Sequence, residues 1–139
     1  DKLVLIDGDR IRNLYEKKLG YDPASRSKNT FRYINLVKWL MENGISSIVA
    51  VISPFEKDRV SCREKIKNYK EIYLSCGLDE RIKRDKKKLY VPALKGEKKH
   101  VVDVDIPFDI PKKNELTIDT EKKQPNKVAE EIIKKLKLL

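Results

Sequence analysis

The first residues show no alternation: Lys2-Leu3-Val4-Leu5-Ile6 is a short apolar run that stops abruptly at Asp7-Gly8-Asp9. Such a run predicts a buried parallel strand, and its carboxyl end is the edge at which α/β folds bind ligands. Farther on, Phe31, Ile34, Val37, Leu40 and Met41 recur at three- and four-residue steps, which predicts a helix with Gly44 at its C-cap. A second strand is expected over 45–52, cut off by Ser53-Pro54, then a helix over 57–70 and a third strand over 71–75. Residues 79–85 read as a short helix. Beyond them the periodicity fades and charge density rises to about Pro111, and an irregular stretch of that length inside a domain is expected to be a lid or disordered. Leu116-Thr117-Ile118 predicts one more strand, and 128–138 an amphipathic helix capped near Asn126. Strands alternating with helices predict an α/β fold with a parallel, doubly wound sheet.

Length and charge narrow this picture. At 139 residues the chain fits one domain. A net charge of +10 suits an anionic partner such as a nucleotide, a nucleic acid or an acidic membrane. The lysines of 83–88, 95–99 and 134–137 lack the aromatic interleaving of a single-strand binding groove, so a solvated basic surface is their simplest reading. Cys62 and Cys76 stand without further Cys or His at metal-ligand spacing, which predicts reduced thiols rather than a zinc site or a disulfide framework. His100 is the only histidine, so mechanisms needing two imidazoles are excluded. No membrane span or signal-peptide pattern is legible, and the expectation is a cytoplasmic protein.

The order of short motifs is more specific. Asp7-Gly8-Asp9-Arg10-Ile11-Arg12 is followed by Leu19-Gly20-Tyr21, Arg26 and Asn29, and then by Ile52-Ser53-Pro54-Phe55 with Asp58-Arg59. Arg84-Asp85, Leu89-Tyr90 and Gly96-Glu97 complete the series. In this order and approximate spacing the chain resembles the adenylylsulfate kinases. The resemblance implies a P-loop kinase-type three-layer fold with a parallel sheet and a lid. It also implies transfer of the γ-phosphate of ATP, with Mg²⁺, to a ribose 3′-hydroxyl, in an enzyme that is usually a homodimer. No G-x-x-x-x-G-K-[ST] occurs in these residues. In the family that loop precedes the DGD strand by one helix, so the expectation is a single kinase domain over 1–139 whose N-terminal strand, P-loop and first helix are omitted, with 86–110 as lid or substrate loop.

Chemistry alone leaves Asp7 and Asp9 open: they could cap a following helix, or take a proton and help to hold Mg²⁺. The resemblance makes Asp7 the catalytic carboxylate and candidate Mg²⁺ ligand, with Asp9 orienting the acceptor. By the same match Arg12, Tyr21, Arg26, Asn29, Ile52, Lys99 and Val101 bind the acceptor nucleotide, and Arg84 lies against the adenine of ATP. Two guanidiniums are a natural clamp for a phosphate and its attached acid group. Ser53 falls where some members carry a phosphoserine, although direct in-line transfer requires no covalent step.

The chain departs from the family pattern where a second aromatic would stack on the acceptor base. Val101 stands there, within Val101-Val102-Asp103-Val104-Asp105. Losing one stacking face would remove about 1–3 kcal/mol of base binding, enough to shift base preference. On that ground cytidine diphosphoramidate, an intermediate of capsule phosphoramidate synthesis, is the first expected acceptor and adenylylsulfate, for sulfate assimilation, the alternative. A basic module without catalysis, binding nucleotide or nucleic acid, is the competing class, nucleic acid being the less expected partner.

Overall fold

A computed structural model describes residues 2–138. The chain forms two compact units, Asp1–Tyr69 with Lys99–Ile110, and Lys70–Lys98 with Pro111–Leu139.

In the first unit β1 (Lys2–Asp7) runs parallel to β2 (Ile45–Ala50), with Ile6 opposite Val49 and Asp7 opposite Ala50. The two strands therefore end together, and the chain leaves both by the same edge. After β1 comes α1 (Gly8–Asn13), a helix that the apolar pattern did not reveal. Its N-cap is Asp7, whose side chain accepts from the amides of Asp9 and Arg10. α2 (Pro23–Glu42) extends well upstream of the apolar stripe that predicts it. Asp22 caps it through the Ser25 amide and Pro23 occupies the first turn, where its missing N–H costs nothing. The first turns of α2 carry polar residues, Arg26 and Asn29 among them, so its buried apolar stripe begins only at Tyr33. Gly44 follows the helix at φ +69°, a left-handed conformation that glycine takes without strain.

The core of this unit is Ile6, Ile11, Tyr33, Val37 and Leu40, with Leu36, Met41, Ile45 and Ile66 packed against it. Ile6 is 2% exposed, so truncating it to alanine removes buried methyls and leaves a cavity, at about 2–5 kcal/mol. α3 (Glu56–Lys65) is shorter than the expected 57–70, ending where Ile66 turns to an extended backbone.

The second unit pairs β3 (Ile72–Ser75) with β4 (Leu116–Asp119), again in parallel, with Leu74 opposite Ile118. It also holds α4 (Leu78–Lys83), α5 (Tyr90–Leu94) and α6 (Pro125–Leu136). α5 interrupts the stretch expected to be irregular; Pro92 masks it in the sequence, yet lies in the first turn where no backbone donor is required. α6 starts at Pro125 with Gln124 as N-cap rather than near Asn126. Ile118, Val128 and Ala93 are the unit's buried apolar side chains. Among the described residues both strand pairs are parallel and helices join the strands, as the alternating pattern predicts for an α/β fold, the strands forming one two-stranded sheet in each unit.

Candidate active site

The carboxyl edge of β1 and β2 is where the chemistry-bearing residues of the first unit gather. Asp7 Oδ1 accepts from Asp9 N and Arg10 N, both at 3.0 Å, which fixes the carboxylate at the strand end. Gly8 sits against β2's exit: a Cβ there would stand 3.1 Å from Val51 Cγ1 and 3.4 Å from the Ala50 carbonyl oxygen. Both readings of Asp7 are thus compatible with one geometry. One oxygen caps α1, and the other remains for a proton or a cation.

Tyr21 is the hub of a second cluster. The Arg12 guanidinium lies 4.4 Å from the centre of its ring and that of Arg26 5.6 Å from it, both within cation–π range. Arg12 Nη1 donates to the carbonyls of Leu19 and Gly20 at 3.0 Å each, and Arg26 Nε donates to the Tyr21 carbonyl at 2.7 Å. The loop from α1 to α2 is thereby wrapped around two cations. Burial, and then the neighbouring charge of Arg12, lower the pKa of Arg26. It stays charged at neutral pH, and an anion placed beside the pair would relieve both penalties.

Arg26 also reaches forward: its Nη2 donates to the His100 carbonyl at 3.0 Å. The segment so held is shaped by Asp105, whose carboxylate accepts from the amides of His100 and Val101 at 2.6 and 2.7 Å. Those bonds, His100 first, hold the Asp105 carboxyl below its ordinary pKa despite some desolvation. His100 and Asp103 both adopt positive φ, 66° and 64°, so the backbone makes two left-handed turns around this carboxylate. Val101 is buried at 7% exposure, and Lys99 is exposed just before the anchored carbonyl.

Asn29, one turn beyond Arg26 on α2, is 2% exposed. Its Nδ2 donates to the Tyr33 hydroxyl, while its Oδ1 is buried without a partner. Beyond β2, Ile52 is exposed at 59%, and Ser53 takes φ 45° ahead of buried Pro54. Arg59, 3% exposed, donates to the Ser53 carbonyl at 2.7 Å and to the Asp109 carbonyl, and pairs with Glu56. Burial pushes the Glu56 carboxyl up, but Arg59 and Arg63 outweigh it and hold it below the ordinary value.

Of the residues singled out from the sequence, Asp7, Asp9, Arg12, Tyr21, Arg26, Asn29, Ile52, Ser53, Lys99 and Val101 all belong to the first unit. Arg84 belongs to the second, at the C-cap of α4. Its Nε donates to Glu80, and its Nη2 to the carbonyls of Thr120 and Glu121 at 3.1 and 2.7 Å. Sequence reasoning missed Tyr33, Asp105, Asp22 and Arg59 as architects of the site. The Asn29/Tyr33 pair at i, i+4 and the Asp22-Pro23 start signal were legible cues.

Among the described residues no group of three or more His, Cys, Asp or Glu side chains could by itself hold a metal. Mg²⁺ does not require one, since it keeps several waters and takes one or two carboxylates together with substrate phosphates. Asp7 suits that role through the oxygen not used in the α1 cap. Among the described residues no helix is long and apolar enough to cross a membrane.

The chain is similar to known proteins in sequence and in fold. The family model described as adenylylsulphate kinase matches residues 1–119. A probable adenylyl-sulfate kinase of Pyrococcus abyssi is 34% identical over 138 residues, covering 99% of this chain and 79% of the relative. The adenylyl-sulfate kinase of Staphylococcus epidermidis is 35% identical over 134 residues, covering 95% of this chain and 67% of its own. Among solved structures, the Mycobacterium tuberculosis APS kinase CysC in complex with AMPPNP and APS superimposes with a TM-score of 0.88. It is 27% identical, and the match covers 99% of this chain and 80% of that one. The chain belongs to the adenylylsulfate kinase family.

Proposed function

We propose that this protein transfers the γ-phosphate of ATP to the ribose 3′-hydroxyl of adenylylsulfate. The observation that carries the reading is the pair of guanidiniums, Arg12 and Arg26, gathered on the Tyr21 ring in the unit whose sheet edge presents Asp7 and Asp9. A small nucleotide with a short anionic tail offers a π-face to Tyr21 and negative charge to the two cations. Phosphoryl transfer then requires the hydroxyl held in line and its proton removed, for which Asp7 is the carboxylate at the strand end. Asp9 beside it orients the sugar. Mg²⁺, when bound, would neutralise charge on the transferring group, held largely by substrate phosphates and water; the Asp7 oxygen outside the α1 cap would serve either that cation or the proton, not both at once.

Asn29 Oδ1, buried and without a partner, supplies an acceptor for a donor on the nucleotide. Ile52 offers the same ligand an apolar surface, and Lys99 a charge suited to the acceptor's tail. Arg84's hydrogen bonds lie in the guanidinium plane and leave its faces for adenine. The Ser53 hydroxyl has no part in this scheme.

This reverses the order of acceptors expected from the sequence. The two relatives are named for adenylyl-sulfate, and neither for a cytidine nucleotide. Val101, the departure on which the cytidine expectation mainly rests, is buried at 7% exposure. Incubating the full-length protein with ATP, Mg²⁺ and adenylylsulfate tests the reading. Formation of 3′-phosphoadenylylsulfate supports it, and its absence while another nucleotide is phosphorylated overturns it.

A further inference from the structure

The orientation of the Asn29 amide has a cause. Tyr33, 8% exposed and one turn along the same face of α2, accepts from Asn29 Nδ2 and directs its own hydroxyl hydrogen toward the Gly8 carbonyl at 3.5 Å. A hydroxyl has one hydrogen to give. With that hydrogen turned to Gly8, its lone pair is what faces Asn29, so the amide must present NH₂ to Tyr33 and turn its carbonyl oxygen elsewhere. That oxygen is the buried one without a partner.

We propose that Tyr33 is a positioning residue that sets the hydrogen-bond polarity of the acceptor site: it locks Asn29 with Oδ1 toward the ligand, selecting a nucleotide N–H or O–H donor, and couples that choice to the Asp7-Gly8-Asp9 turn. The proposal rests on the assignment of adenylylsulfate as acceptor. Burial raises the Tyr33 pKa above its ordinary value, with Arg12 and the Asn29 hydrogen bond opposing and Asp9 and Asp7 reinforcing, so the hydroxyl keeps its proton at neutral pH. Gly8 suits the coupling, because a Cβ there would come within 3.5 Å of the Tyr33 hydroxyl. The donor is either an exocyclic base amine or a ribose hydroxyl.

The test compares full-length wild type, Tyr33→Phe, Asn29→Ala and the double variant, by steady-state kinetics with adenylylsulfate and ATP and by thermal unfolding. Tyr33→Phe frees the amide to rotate. It is expected to raise the KM for adenylylsulfate about tenfold, one hydrogen bond's worth, with kcat and the KM for ATP nearly unchanged. In the Asn29→Ala background it is expected to add nothing, since it acts through Asn29. An analogue with the base amine replaced by oxygen identifies the donor: lost discrimination against it in Tyr33→Phe marks the amine, and loss confined to a 2′-deoxy analogue marks the ribose. Equal KM for adenylylsulfate in Tyr33→Phe and wild type, additive losses in the double variant, or a matching rise in the KM for ATP overturns the proposal. If wild type itself does not turn over adenylylsulfate, the functional reading falls, and this assignment with it.

Discussion

Arg26 Nη2 donates to the carbonyl oxygen of His100 at 3.0 Å, across 74 residues of sequence, while the same guanidinium lies over Tyr21. One side chain therefore ties the left-handed turn before Val101 to the loop that carries the aromatic face. Lysine in its place keeps the charge but has one nitrogen where Arg26 uses two, Nε for Tyr21 and Nη2 for His100. Arg26→Lys is expected to raise the KM for the acceptor about 10- to 100-fold with less effect on the KM for ATP, measured by initial rates.

Asp7, which caps α1, is also the carboxylate proposed for the chemistry, and one substitution separates the two roles. Asparagine retains the oxygen that accepts from Asp9 N and Arg10 N, so the cap of α1 survives, but it cannot take a proton and is a poor Mg²⁺ ligand. Asp7→Asn is expected to lower kcat by about 10²- to 10⁴-fold, with thermal stability and acceptor affinity close to wild type. Rapid-quench or steady-state rates at saturating substrates check this.

Ser53 gives the opposite expectation. Its carbonyl, held by Arg59, is what the fold uses, and its φ of 45° belongs to a turn. Ser53→Ala is expected to keep kcat within about threefold, whereas an obligatory phosphoserine would make the loss several orders of magnitude. Activity assays with mass spectrometry of the ATP-treated protein distinguish the two.

Arg59 is structural. Its loss leaves the carbonyls of Ser53 and Asp109 without this donor and removes a cation buried beside Glu56. Arg59→Ala is expected to destabilise the first unit by about 2–5 kcal/mol, read by chemical denaturation.

The Asp105 carboxylate predicts a pH dependence. Its folded pKa is depressed below the ordinary 3.8 by the amides of His100 and Val101. A depressed acid contributes stability that is fully present above the unfolded pKa and is lost as pH falls through the folded one. Amide protection of residues 100–106, relative to intrinsic exchange rates, is therefore expected to fall selectively on acidification below that range, and Asp105→Asn to bring the loss of protection to neutral pH.

Much of this site was legible because its elements obey local rules. The apolar run before Asp7 forms β1, Gly44 ends α2 in the left-handed conformation, and the motif residues from Asp7 to Asn29 fall in one unit, around the exit of β1. What escaped the sequence did so for a physical reason. The early turns of α2 carry Arg26 and Asn29 for the site, so hydrophobic periodicity could not mark them as helical. Tyr33 falls on the core stripe, and only its hydroxyl, seen in three dimensions, reveals a second role. Val101 is buried, which its residue type alone does not reveal.

Competition between acceptors decides whether the protein phosphorylates adenylylsulfate or a cytidine nucleotide. The full-length protein is given ATP, Mg²⁺ and equal concentrations of adenylylsulfate and cytidine diphosphoramidate, and the 3′-phosphorylated products are quantified by mass spectrometry. Predominantly 3′-phosphoadenylylsulfate is expected; predominant phosphorylation of the cytidine compound would overturn the assignment.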